Sequence, residues 1–130
     1  LVRAIMEGVA FSLRDVATLL ENQGIKLASC RIAGGGSQSE IWCNIFANTF
    51  DCPVSTVAAS TEGTAYGTAL LAGLSHGQWH EPGTLRRLIP ARTTDTPDAV
   101  VSGAQQQRFA LYRRFYPALA DLFAASAKLS

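Results

Sequence analysis

What this chain has little of narrows it before any motif is found. Charge of one sign is not in excess: 11 Lys and Arg stand against 10 Asp and Glu, a formal net charge of +1. That balance favours neither nucleic acid nor an anionic membrane as partner. No apolar run reaches the roughly 20 residues of a membrane-spanning helix. No basic, then apolar, then small-residue leader is expected. Cysteine is scarce: Cys30, Cys43 and Cys52 are an odd number at irregular spacing. They suggest neither a disulfide framework nor a CxxC zinc site. Reduced, mostly buried thiols of a cytoplasmic protein are expected. His76 and His80 have no partner cluster, so no metal site is expected.

What is present is a globular composition. The 130 residues are 48% hydrophobic and 16% charged, enough for one domain with a core. Leu1 already lies inside a helical pattern, without a Met or a cap, as expected of a piece of a longer polypeptide.

Leu1, Ile5, Val9, Leu13, Val16 and Leu20 recur every three to four residues and predict an amphipathic helix with that stripe turned inward. Gly8 inside it would be explained by a close crossing, and Gly24 marks its stop. A short strand is expected over 27–33 and a second over 54–57. A helix lies between them to about Phe50, with Ile41, Ile45 and Phe46 facing inward; Asp51-Cys52-Pro53 ends it. A third helix, from about Glu62 to Ser75, is rich in small residues and suited to close packing. Three prolines, at 82, 90 and 97, make 77–103 an irregular connection. A last helix spans 104–125, with Phe109, Tyr112, Phe115 and Tyr116 as its docking stripe and a kink or break at Pro117. The order α-β-α-β-α plus a C-terminal helix indicates an α/β layer with parallel strands. Two strands are few for a stable sheet.

The run Ile32-Ala33-Gly34-Gly35-Gly36-Ser37-Gln38-Ser39-Glu40-Ile41-Trp42 carries the strongest functional signal. Glycine lets the backbone turn sharply and lets another molecule approach. The next helix directs its free N–H groups and positive dipole end at that turn, which suits a phosphate or nucleotide. The spacing is neither that of a P-loop nor of a dinucleotide fingerprint. A dinucleotide-binding oxidoreductase is disfavoured too, since 57–60 offer no acidic residue after the next strand. Ser37 and Glu40 read as a capping box. Glu62 reads as an acid complementing a helix dipole rather than as a catalytic group. Trp42 and Trp79 read as packing residues.

Three segments carry a family likeness: Arg3-Ala4-Ile5-Met6-Glu7-Gly8-Val9-Ala10-Phe11, Ala33-Gly34-Gly35-Gly36-Ser37-Gln38-Ser39-Glu40-Ile41-Trp42, and Glu62-Gly63-Thr64-Ala65-Tyr66-Gly67-Thr68-Ala69-Leu70-Leu71-Ala72. In order and spacing they resemble the C-terminal domain of the FGGY carbohydrate kinases. The tail, Arg108-Phe109 to Tyr116-Pro117-Ala118-Leu119, is most similar to the xylulose kinase branch. The resemblance implies part of a ribonuclease H-like domain, the fold of actin, hexokinase and the heat-shock ATPases. Residues 1–76 would be its nucleotide-side α/β core, 77–103 the connection and 104–130 the C-terminal helix. It implies phosphoryl transfer from ATP, with Mg²⁺, to a sugar hydroxyl such as that of a pentulose, and leaves room for a homodimer. Gly35 would meet the nucleotide phosphate or ribose, Gly34 and Gly36 would shape the turn, and Ser39 would lie near the adenine end. No catalytic residue or metal ligand of the family matches this chain; the catalytic aspartate is expected upstream, and this piece alone is expected to be inactive. The alternative is a non-catalytic interaction module derived from the same fold.

Overall fold

A computed structural model describes residues 1–57, 63–80 and 82–129. Helix α1 spans Val2–Asn22, strand β1 Cys30–Ile32, helix α2 Glu40–Phe50 and strand β2 Val54–Val57. Helices α3 (Gly63–Ser75) and α4 (Pro82–Leu88), strand β3 (Ala91–Asp95) and helix α5 (Ala99–Ala127) follow. The fold is mixed α/β.

The sheet has the order β1-β2-β3. β1 and β2 are parallel, with Cys30 beside Val54 and Ile32 beside Thr56. β3 pairs with β2 in the opposite direction, with a register irregularity between Ser55 and Val57. This corrects the expectation for 77–103: a helix and a strand occupy much of the supposed connection. β3 reads Ala-Arg-Thr-Thr-Asp and is almost wholly exposed, so it shows no apolar alternation. Hydroxyl contacts tie it down instead, Ser55 to Thr94 at 2.9 Å and Thr56 to Thr93 at 2.6 Å. Pro82 opens α4, where its missing N–H has no helical partner to lose. α5 begins five residues before the expected start because Asp98 caps it, accepting from the N–H groups of Val100 and Val101.

α2 is the centre of the molecule. Ala10, Ile45, Phe46, Ala47 and Val54 form the core cluster, flanked by Met6, Ile32, Trp42 and Phe50. Ile45 and Phe46 face inward as their spacing predicts, but Ile41 is exposed. At the far end of α2 the contacts become polar. Asn48 accepts from the Asp98 N–H at 2.8 Å, Gln106 donates to the Thr49 carbonyl at 3.1 Å, and Ser102 donates to Asp51 at 2.7 Å. These three bonds seat the start of α5 on the end of α2.

The predicted stripe of α1 is a correction as well. Ile5, Val9, Leu13, Val16 and Leu20 are all exposed, whereas Ala10, Phe11 and Ala17 are buried. Small alanines let α2 approach closely, and Phe11 packs its ring on Phe109 and Tyr112 at 5.9 and 5.6 Å. Gly8 has open space where a Cβ would stand, so no close crossing accounts for it. The helix stop holds: Gly24 has φ +84°, with bonds from Gly24 N–H to Glu21 O and from Ile25 N–H to Leu20 O. In α5 the aromatic stripe divides. Phe109 is buried and Tyr112 partly so, but Phe115 and Tyr116 are exposed. The helix runs on past Pro117 without a break. No described helix is long and apolar enough to cross a membrane.

Candidate functional site: the glycine turn at the head of α2

β1 delivers the chain into the turn, and Gly34 makes the corner. Its φ of 87° and ψ of 179° lie in a region that only glycine occupies readily. A single 3₁₀ turn, Gly35–Gln38, follows. It closes through Ser37 N–H to Gly34 O at 3.1 Å, reinforced by the Ser37 hydroxyl donating to the same carbonyl at 2.7 Å. The capping box is therefore corrected. Ser37 holds the turn, and Ser39 caps α2 by accepting from the Trp42 N–H at 3.3 Å. The intervening 3₁₀ turn moves the helix start by two residues. Ser39 accepts in that bond, so its own O–H proton is available to a ligand. Glu40 sits in the first turn of α2, where an acid complements the dipole.

The three glycines differ in their surroundings. A Cβ on Gly35 would meet nothing within 4 Å, so this part of the turn is open to an approaching molecule. A Cβ on Gly36 would stand 3.3 Å from the Trp42 indole nitrogen, so Trp42 lines the turn. At the entry to the turn, a Cβ on Gly63 would fall 2.9 Å from the Ala33 Cβ. The small residue at the start of α3 thus lets that helix abut the strand end that enters the turn. Two of the singled-out segments, around Gly34 and around Gly63, meet here. Gly67 has no neighbour that needs it, and Gly73 is where Trp79 packs. Glu62 and residues 58–61 lie outside the described residues.

Beside the turn lies a cleft of about 480 Å³. Ser37, Gln38, Glu40 and Cys43 line it from the turn and α2, Thr56 from β2, and Arg92–Asp95 from β3. The β3 wall, with its cation at Arg92, was invisible to periodicity because the strand carries no apolar pattern. Burial, aided by the Asp95 charge, pushes the Cys43 thiol up and keeps it protonated and inert. His76 and His80 are exposed. The described residues contain no group of three metal-binding side chains.

The remaining segment, around Glu7, is a clamp rather than part of the turn. The Glu7 carboxylate receives Arg3 at 3.0 Å and Gln105 at 3.1 Å, with Arg108 3.6 Å away. Burial opposes its charge, but these partners outweigh it and hold the carboxyl below its ordinary value.

Comparison with known proteins settles the family. Residues 1–76 match the C-terminal domain of the FGGY family of carbohydrate kinases. The chain belongs to that family. It is 32% identical over 124 residues to the xylulose kinase of Escherichia coli strain K12, covering 95% of this chain and 26% of that protein. It is 36% identical over 88 residues to a glycerol kinase of Pseudothermotoga lettingae, covering 67% and 17%. Its fold matches a ligand-bound xylulose kinase from Lactobacillus acidophilus with a TM-score of 0.82 at 27% identity, covering 98% of this chain and 25% of that one. A gluconate kinase from the same organism matches with the same TM-score, identity and coverage. The chain is therefore part of an actin- and hexokinase-like ATPase fold, and it spans between 17% and 26% of the length of these relatives.

Proposed function

We propose that this chain forms the adenosine-side wall of the nucleotide cleft in a cytoplasmic sugar kinase. The kinase would transfer a phosphoryl group from ATP, with Mg²⁺, to a pentulose such as xylulose. The observation that carries the reading is the open Gly35 position on a glycine turn directly ahead of the α2 N-terminus. Gly34 sets the corner, Gly35 admits the phosphate or ribose, Gly36 packs on Trp42, and Ser39 offers its hydroxyl near the adenine end. When bound, ATP with its magnesium supplies the transferable phosphoryl group. The contribution of these residues is to bind and orient it, which is much of what phosphoryl transfer requires. The pentulose preference rests on the xylulose kinase match, which runs through the tail of the chain and not only through the family domain. No residue of this chain is assigned as the base that activates the sugar hydroxyl, so the chain alone should show no sugar-dependent ADP release.

The test is ATP titration by calorimetry on the wild type and two glycine variants. Gly35→Val adds bulk at a position where a Cβ meets nothing within 4 Å. It should weaken nucleotide binding at least tenfold and leave the urea midpoint unchanged. Gly34→Ala should instead lower stability by about 1–3 kcal/mol through backbone strain. Unaltered ATP binding by a folded Gly35→Val chain would overturn the assignment.

A further inference from the structure

Outside the proposed nucleotide wall, two thiols face each other. The Cys52 thiol donates to the Cys30 sulfur across 3.6 Å, and the residues are 22 apart in sequence. The parallel pairing of β1 with β2 holds them together. Cys30 is the first residue of β1, its N–H bonds to the Pro53 carbonyl at 2.9 Å, and Pro53 adjoins Cys52. Cys52 is buried, while Cys30 is partly exposed and lines an open apolar groove with Leu13, Leu20 and Trp42. Cys43 belongs to a different environment, buried under the glycine turn with its thiol directed at the Ser37 carbonyl at 3.7 Å.

We infer that Cys30 and Cys52 form a reversible disulfide by exchange with a small-molecule disulfide such as oxidised glutathione. Cys30, the accessible partner, attacks as thiolate and displaces one glutathione thiolate, leaving the other glutathione on its sulfur. Cys52 then loses its proton to solvent, its sulfur attacks Cys30, and the second glutathione leaves. Two protein thiols are oxidised, and one small disulfide is reduced to two thiols. The sulfurs need only close from 3.6 Å to about 2 Å. Burial and the hydrogen bond to Cys30 push the Cys52 thiol up to about 12, which makes it the slower, resolving partner. The bond would convert β1, the glycine turn and α2 into a closed ring. Any effect on nucleotide affinity rests on the proposed function; the bond itself does not.

The full chain, equilibrated with oxidised glutathione and digested with trypsin without reduction, tests this. Peptide 27–31 should appear disulfide-linked to peptide 32–86, and tandem mass spectrometry should place the link at Cys52. The link should vanish with dithiothreitol, be absent in Cys30→Ser and persist in Cys43→Ala. The same treatment in concentrated urea should give a mixture of pairings. Glutathione left unresolved on Cys30, a link through Cys43, or no reaction in a chain whose circular dichroism shows it folded would each overturn the inference. The wild-type fragment assignment decides even where a variant fails to fold.

Discussion

Both sides of α1 carry apolar residues, yet this chain buries only one of them. The side against α2 and α5 uses Ala10, Phe11 and Ala17; the other presents Ile5, Val9, Leu13, Val16 and Leu20 to solvent. The larger aliphatic side chains are on the exposed side. Close packing of α1 on α2 selects small residues, because two backbones approach only where side chains are short. The larger stripe is apolar surface that no described part of this chain covers, in a chain that spans 26% of the length of the Escherichia coli xylulose kinase. Periodicity thus identifies a helix and an apolar side. It does not identify which side a given stretch of polypeptide will bury.

The sharpest test of that contrast applies one substitution to both sides of the α1–α2 pair. Ile45 is 1% exposed and Ile5 is 62% exposed. Ile45→Ala should cost about 2–5 kcal/mol, through lost burial and an unfilled cavity. Ile5→Ala should change stability by less than about 0.5 kcal/mol. Urea unfolding of the two variants measures both, and equal losses would mean that the stripe is covered.

Next in size is the clamp on α1. Glu7→Gln removes the charge that Arg3, Gln105 and Arg108 share, and should cost about 1.5–3 kcal/mol at neutral pH. The sign with pH follows from the lowered carboxyl. Its contribution is complete above its ordinary value of 4.5 and is lost as pH falls through the lower folded value. The variant should therefore approach the wild type in stability as the solution is acidified below pH 4.5. A constant gap across that range would remove the carboxylate from the explanation. The smallest effect expected is at the head of α2. Ser39→Ala deletes the cap to Trp42 and should cost about 1 kcal/mol, again by urea unfolding. A Ser39→Ala variant with the wild-type urea midpoint would remove the cap from the account.

Much of this was legible in the residues. The bounds of β2, the end of α3 and the Gly24 stop follow from the residues, because local signals fix them. The glycine turn was found for the same reason, since a triple glycine before a helical pattern has few other uses. Its detail was not: Ser37 and Ser39 are two residues apart, and only the 3₁₀ turn between them decides which caps the helix. β3 has no such signal, because hydroxyl pairs and not an apolar face accompany its pairing with β2. The start of α5 did have a signal, Asp98 ahead of Ala99-Val100-Val101, that the neighbouring prolines obscured.

The contact between Gly36 and Trp42 has an optical consequence. An indole whose nitrogen lies 3.3 Å from the site of a missing Cβ senses the polarity and hydration of the glycine turn directly. The other tryptophan, Trp79, is occupied elsewhere, donating to the Leu70 carbonyl at 3.0 Å. With Trp79 replaced by phenylalanine, the emission of Trp42 becomes a single built-in fluorescent reporter. It would register a ligand settling on the turn without any label being added to the protein.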